Sequence, residues 1–150
     1  MLNAAIVGLG WWGKILTQTL AASDKIKVVK LADVDADGGA AVAAEHSIAF
    51  TTDYADVLAD DNVQAVILAT PHSLHEEQIV AAAGTGKHIF CEKPFCLNRA
   101  SALRAMEAIE KAGVQVAIGH ERRFEPPIMD AMALARDGKL GALMLSLIHI

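Results

Sequence analysis

Ala5-Ile6-Val7-Gly8-Leu9-Gly10-Trp11-Trp12-Gly13-Lys14 stands almost at the N-terminus. An apolar run breaks into glycines, and a helical pattern follows at once. The stretch reads as a strand, a tight turn and a helix start. Gly8, Gly10 and Gly13 hold the G-x-G-x-x-G spacing. Gly8 lets the chain turn off the strand. Gly10 leaves the backbone open to a pyrophosphate, and Gly13 lets the helix pack close to the sheet. Free N–H groups at the helix N-terminus then face the phosphates. Trp11 and Trp12 lie inside the loop and count with it as cofactor-binding candidates. A glycine-rich turn without a ligand is the plain alternative, since the triplet alone is a weak signal.

Two checks sharpen the reading. Gly8 to Lys14 also fits the start of G-x-x-x-x-G-K, a phosphate-binding P-loop. That loop needs Ser or Thr next to hold magnesium, and the next residue is Ile15. A dinucleotide site instead expects an acid about twenty residues on, at the end of the second strand. The run Ile26-Lys27-Val28-Val29-Lys30-Leu31-Ala32 ends in Asp33 at that distance. Its carboxylate can accept hydrogen bonds from both ribose hydroxyls and repels a 2′-phosphate. The expectation is NAD rather than NADP. Asp35 fits better as the N-cap of the following helix.

The length of 150 residues suits one domain and part of another. A high apolar fraction with a net charge of −5 is a globular composition. No basic cluster forms a nucleic-acid footprint. No apolar run approaches membrane-spanning length and no signal segment opens the chain, so the expected location is cytoplasmic. Cys91 and Cys96 are too few for a disulfide scaffold. His88 and Cys91 make one metal-like pair, and no second pair completes a site, so no metal is expected.

Strands and helices alternate along the chain. Strands are expected at 3–8, 27–33, 48–50, 65–69, 87–91 and 114–118. Helices are expected at 11–22, 37–46, a short one after Asp53, 73–83 and 98–112, the last with Leu103, Met106 and Ile109 along its apolar face. Ala65-Val66-Ile67-Leu68-Ala69 has no alternation, as a strand buried on both faces requires. Repeated β-α units imply an α/β fold, a Rossmann-type doubly wound parallel sheet.

Two polar stretches fall just past strand ends, where such a sheet keeps its ligands. One is Ala69-Thr70-Pro71-His72-Ser73-Leu74-His75, and the other is Glu92-Lys93-Pro94. Ala69, Thr70, Pro71, His75, Glu92 and Lys93 are therefore cofactor-site candidates. The alternatives are a helix-capping hydroxyl for Thr70, a first-turn surface imidazole for His75, and a Glu92 salt bridge for Lys93. Adjacent residues at a strand end point apart, which weakens the last.

Together these motifs resemble the glucose–fructose oxidoreductase / inositol dehydrogenase / rhizopine catabolism (Gfo/Idh/MocA) family. Four stretches carry the resemblance in order: Gly8 to Gly13, Ala69-Thr70-Pro71 with His75, Gly86 to Pro94, and Gly119-His120-Glu121-Arg122-Arg123-Phe124-Glu125-Pro126. They reach from the start of the chain to about Gly141. The Glu-Lys-Pro stretch is the most specific.

The resemblance implies an NAD(P)-binding Rossmann domain over 1–120. The start of a substrate and dimerisation domain follows over 121–150. The implied activity is hydride transfer between a nicotinamide cofactor and a secondary alcohol of a sugar, inositol or related polyol. Lys93 becomes the catalytic lysine at the reacting hydroxyl, with a cis Lys93-Pro94 bond. Its usual partners, an Asp and a His, belong to the second domain, as does the sheet that makes the homo-oligomer. A dinucleotide-sensing protein without catalysis is the competing reading, and Lys93 favours the enzyme. An unrelated Rossmann module such as a methyltransferase fits the third glycine and the Glu-Lys-Pro triplet poorly.

The chain is expected to break off in the second domain. Leu145-Ser146-Leu147-Ile148-His149-Ile150 is what CTG-TCT-CTT-ATA-CAC-ATC encodes, the transposon end used in some sequencing libraries. A non-native tail and a genuine alternating strand are the two readings of it.

Overall fold

The computed structural model describes residues 1–142. The chain divides into two compact units, Met1–Gly119 and a second that begins at His120. In the first, β1 (Leu2–Val7), α1 (Trp11–Leu20), β2 (Ile26–Ala32), α2 (Ala36–His46) and β3 (Ala49–Thr51) form one half. After α3 (Tyr54–Leu58), the other half is β4 (Ala65–Leu68), α4 (His75–Gly84), β5 (His88–Glu92), α5 (Arg99–Ala112) and β6 (Val116–Gly119). The strands run β3-β2-β1-β4-β5-β6, every neighbouring pair parallel. The chain leaves β1 toward one edge and returns to β4 beside it. That reversal point is where a doubly wound sheet opens a crevice at its carboxyl end.

Position in the sheet follows composition. Ala4 to Val7 and Ala65 to Leu68 are buried at every residue, as strands covered on both faces must be. One apolar cluster joins β1, β2 and β4 to α1 and α2 through Ile6, Leu31, Ile67, Leu16 and Ala43. The other joins Val66, Leu68 and Cys91 to α3, α4 and α5 through Val57, Ile79 and Ala105. Helices therefore cover both faces, as the alternation implies.

The expected apolar face of α5 needs correction. Ile109 is buried, but Leu103 and Met106 are exposed; the inward stripe is Ser101, Ala105 and Ile109. Ala82 and Ala83 of α4 share that cluster with Ala105. Small side chains on both helices let the backbones approach closely, and the larger pair is left facing outward. The expected helix over 73–83 is also two elements, a 3₁₀ turn (His72–Leu74) and then α4.

Helix starts follow their caps. Asp35, Asp53 and Asn98 each accept a backbone N–H at the head of α2, α3 and α5. Lys87 fastens the start of β5: it is buried, and its Nζ donates to the Asp60 and Val63 carbonyls at 2.8 Å each. Lys87→Met should keep the stem packed and strand both carbonyls. The expected cost is about 1–3 kcal/mol, read from urea unfolding.

The second unit contains a 3₁₀ turn (Glu121–Phe124) and α6 (Pro126–Arg136), opened by proline in its first turn. Both readings of Leu145–Ile150 lie outside the described residues. No described helix is long and apolar enough to cross a membrane.

Candidate functional site: a dinucleotide crevice

The three loop glycines do different work. Gly8 sits at φ +93°, in the left-handed region, and a Cβ there would meet the Ala69 backbone. A Cβ on Gly13 would collide with the Gly8 carbonyl, so α1 crosses β1 at backbone contact. A Cβ on Gly10 would meet nothing within 4 Å. Gly8 and Gly13 are thus consumed by packing, and only Gly10 fronts open space. The helix behind it has no side-chain cap and no acid in its first turn. Its orphan N–H groups and the positive end of its dipole remain available to an anion. That is what a pyrophosphate requires, and the cradle fits one.

Asp33 follows the last residue of β2. Oδ2 accepts the Leu9 N–H from the glycine loop, and Oδ1 accepts the Asp35 N–H at 2.8 Å. Each oxygen keeps acceptor capacity for a further donor. Asp35 caps α2 by accepting the Gly38 N–H at 3.1 Å, as its position suggests.

The loop after β4 is organised from beneath. The Thr70 hydroxyl donates to Gln78 Oε1 at 2.5 Å and caps no helix. Pro71 precedes the 3₁₀ turn. His75 is fully buried rather than a surface imidazole. Its Nδ1 lies 2.9 Å from the Pro94 carbonyl and its Nε2 3.1 Å from the Thr70 carbonyl. The ring ties the loop after β4 to the loop after β5, so it acts on the site by positioning both. His75→Leu keeps volume and removes both contacts. It should cost about 1–3 kcal/mol in thermal or urea unfolding.

At the end of β5, Glu92 is buried and Lys93 is exposed. They form no salt bridge; instead the Lys93 backbone N–H donates to Glu92 Oε2 at 3.2 Å. The other oxygen, Oε1, accepts the Trp12 indole N–H at 2.6 Å. Trp12 and the exposed Trp11 have ring centroids 5.5 Å apart. The Lys93-Pro94 peptide is cis. Cys91 is no nucleophile: burial first, then nearby Cys96 and Glu92, push its thiol up to about 12.

Gly8, Gly10, Asp33, Ala69, Thr70 and Pro71 converge on one crevice of 490 Å³. Val34, Thr52, Tyr54, Leu74 and Gln78 also line it and escape the sequence reading. Val34 and Thr52 follow strand ends, which is the signal that marks them; the other three lie on α3, the 3₁₀ turn and α4. A second, apolar groove of 550 Å³ is lined by residues such as Leu16, Leu20, Ala65 and Gln115. Much of its lining comes from the opening residues of strands and carries no phosphate-binding loop, so the crevice is the functional candidate.

Fold and crevice define a dinucleotide-binding Rossmann domain. The chain belongs to the Gfo/Idh/MocA oxidoreductase family, whose NAD-binding Rossmann-fold model matches residues 2–120. It is 32% identical to the uncharacterized oxidoreductase YrbE of Bacillus subtilis strain 168, over 91% of this chain and 40% of that protein. It is 34% identical to the scyllo-inositol 2-dehydrogenase (NAD(+)) of the same organism, over 93% of this chain and 42% of that protein. The solved scyllo-inositol dehydrogenase of Lactobacillus casei, with bound NAD(H) and scyllo-inositol, superposes with a TM-score of 0.88. That match has 27% identity and covers 94% of this chain and 42% of the other. The chain thus spans about 40% of the length of the curated relatives it matches.

Proposed function

We propose that this chain is the cofactor half of an NAD-dependent oxidoreductase acting on a secondary alcohol of a sugar, inositol or related polyol. On this reading residues 1–120 hold the cofactor, and 121–150 open a substrate domain through which the polypeptide pairs as a homo-oligomer in the cytoplasm. The observation that supports it most is Asp33. Its carboxylate is fixed at the end of β2 by the Leu9 and Asp35 amides, beside the open face of Gly10. Two ribose hydroxyls fit those oxygens, and a 2′-phosphate would meet their charge. When bound, NAD supplies the hydride acceptor. Gly10 and the α1 N-terminus receive its phosphates, while Ala69, Thr70 and Pro71 wall the crevice. Trp11 and Trp12 border the opposite side of the glycine loop. Lys93 carries the reacting hydroxyl's proton. Its exposed side chain follows a buried, fixed Glu92, so the ammonium is free to meet substrate.

Asp33→Ala should weaken NAD binding by about 1.5–3 kcal/mol, the range for hydrogen bonds to a charged group. NADP binding should weaken less or improve, since the repelling charge is gone. Fluorescence titration of both variants with both nucleotides reads this directly. For the activity, a polypeptide of the relatives' length is assayed for NADH formation with a panel of inositols and sugars. Polyol-dependent NADH formation is the expected result. Tight NAD binding without turnover on any polyol would count for the sensing role instead.

A further inference from the structure

Glu92 is a buried carboxylate that no cation among the described residues pairs with. It is 8% exposed. Among the described residues no salt bridge reaches it. Its two oxygens are held by neutral donors, the Trp12 indole at 2.6 Å and the Lys93 amide at 3.2 Å. Gly119 closes the third side: a Cβ there would stand 2.5 Å from Oε1. Donors from α1 and from the loop after β5 therefore fix one carboxylate, and Gly119 at the end of β6 leaves room for it. Both oxygens face donors, the pattern of an acceptor-only group. Buried charge is costly unless it is matched, so the arrangement calls for a positive partner that the described residues do not provide.

Topology indicates what that partner is. Along the sheet the order is β2-β1-β4-β5. Asp33 stands after β2 and receives the adenosine ribose. The glycine loop stands after β1 and receives the pyrophosphate. The remaining nucleoside must then lie toward the loops after β4 and β5, where Glu92 ends its strand. In the oxidised dinucleotide that nucleoside carries a positively charged ring; in the reduced one the ring is neutral.

We infer that Glu92, held by the Trp12 indole and the Lys93 amide, supplies the fixed negative charge that favours the oxidised nicotinamide over the reduced one. The inference rests on the dinucleotide reading above. Trp12 ties the start of α1 to this carboxylate, while the charge itself sets the redox preference of binding. By lowering the free energy of the oxidised complex, the carboxylate tilts the bound pair toward hydride donation.

The test is calorimetric titration of the chain with NAD+, NADH and ADP-ribose, in wild type and in Glu92→Gln. The expected result is a rise of at least about tenfold in the ratio Kd(NAD+)/Kd(NADH), the effect of one charge about 12 Å away at an effective dielectric of about 20. ADP-ribose affinity should hold within about twofold. Glu92→Ala replaces Glu92→Gln if thermal melts show that the latter does not fold, with the same shift expected. Trp12→Phe keeps the charge and should leave the ratio within about threefold. Equal weakening of NAD+ and NADH, an unchanged ratio, or a Trp12→Phe shift as large as that of Glu92→Gln would overturn the inference. Failure of wild type to bind ADP-ribose would instead remove the dinucleotide reading on which it rests.

Discussion

Lys93→Met should lower kcat about 10²–10⁴-fold in a polypeptide that carries both this domain and its substrate domain, the usual contribution of one positioned proton-transfer group. Lys93 follows the last residue of β5, at the carboxyl edge of the sheet. Its backbone is fixed by the amide contact to Glu92, and the adjoining Pro94 carbonyl is held by His75. The loop is thus braced on both sides of the lysine while its ammonium remains exposed. Methionine keeps the stem and deletes the charge and its protons. NAD affinity should change little, since neither the phosphate cradle nor Asp33 is touched. Steady-state kinetics beside a binding titration separates the two terms. An unchanged kcat would remove Lys93 from the chemistry.

Gly13→Ala should destabilise the domain by at least about 3 kcal/mol, or prevent its folding. A Cβ at this position collides with the Gly8 carbonyl oxygen and carbon, which are backbone atoms and cannot rotate aside. Gly8 is itself pinned against the Ala69 backbone, and its N–H donates to the Ala32 carbonyl at 2.8 Å. Relief would have to come from lifting α1 off the sheet, which opens the packing of Leu16 and Leu20. Overpacking of that kind lies at the upper end of single-substitution costs. Gly10→Ala is the matched control. Its Cβ meets nothing within 4 Å, so the fold should survive while the methyl group stands where the phosphates approach. Melting curves and nucleotide binding should therefore separate: Gly13→Ala loses stability, and Gly10→Ala loses binding. Equal stability of the two variants would contradict this division of labour.

How much of this was legible in the sequence depends on the distance over which each feature is decided. Strand, turn and helix at 2–20 are decided locally, by an apolar run followed by glycines. The caps at Asp35 and Asp53 are similarly local, and so are readable. The central place of β4 shows in its lack of alternation. What resisted reading is what tertiary contact decides. Leu103 and Met106 belong by periodicity to the inner face of α5, but the close approach of α4 selects Ala105 instead. His75 reads as a cofactor-site candidate or a first-turn surface imidazole until two loop carbonyls are seen around it. The Trp12–Glu92 pair joins residues 80 apart, and no local pattern announces it. Gly119 gives no hint in one sequence that its missing Cβ makes room for a carboxylate.

The central claim is that the crevice between the glycine loop, Asp33 and the loop after β4 binds NAD. The direct measurement is isothermal titration of the purified chain with NAD+ and NADP+ at one ionic strength. Saturable NAD+ binding at one site per chain, at least about tenfold tighter than NADP+, is the predicted result, the difference set by the Asp33 charge. Absence of binding, or equal or tighter binding of NADP+, would contradict it.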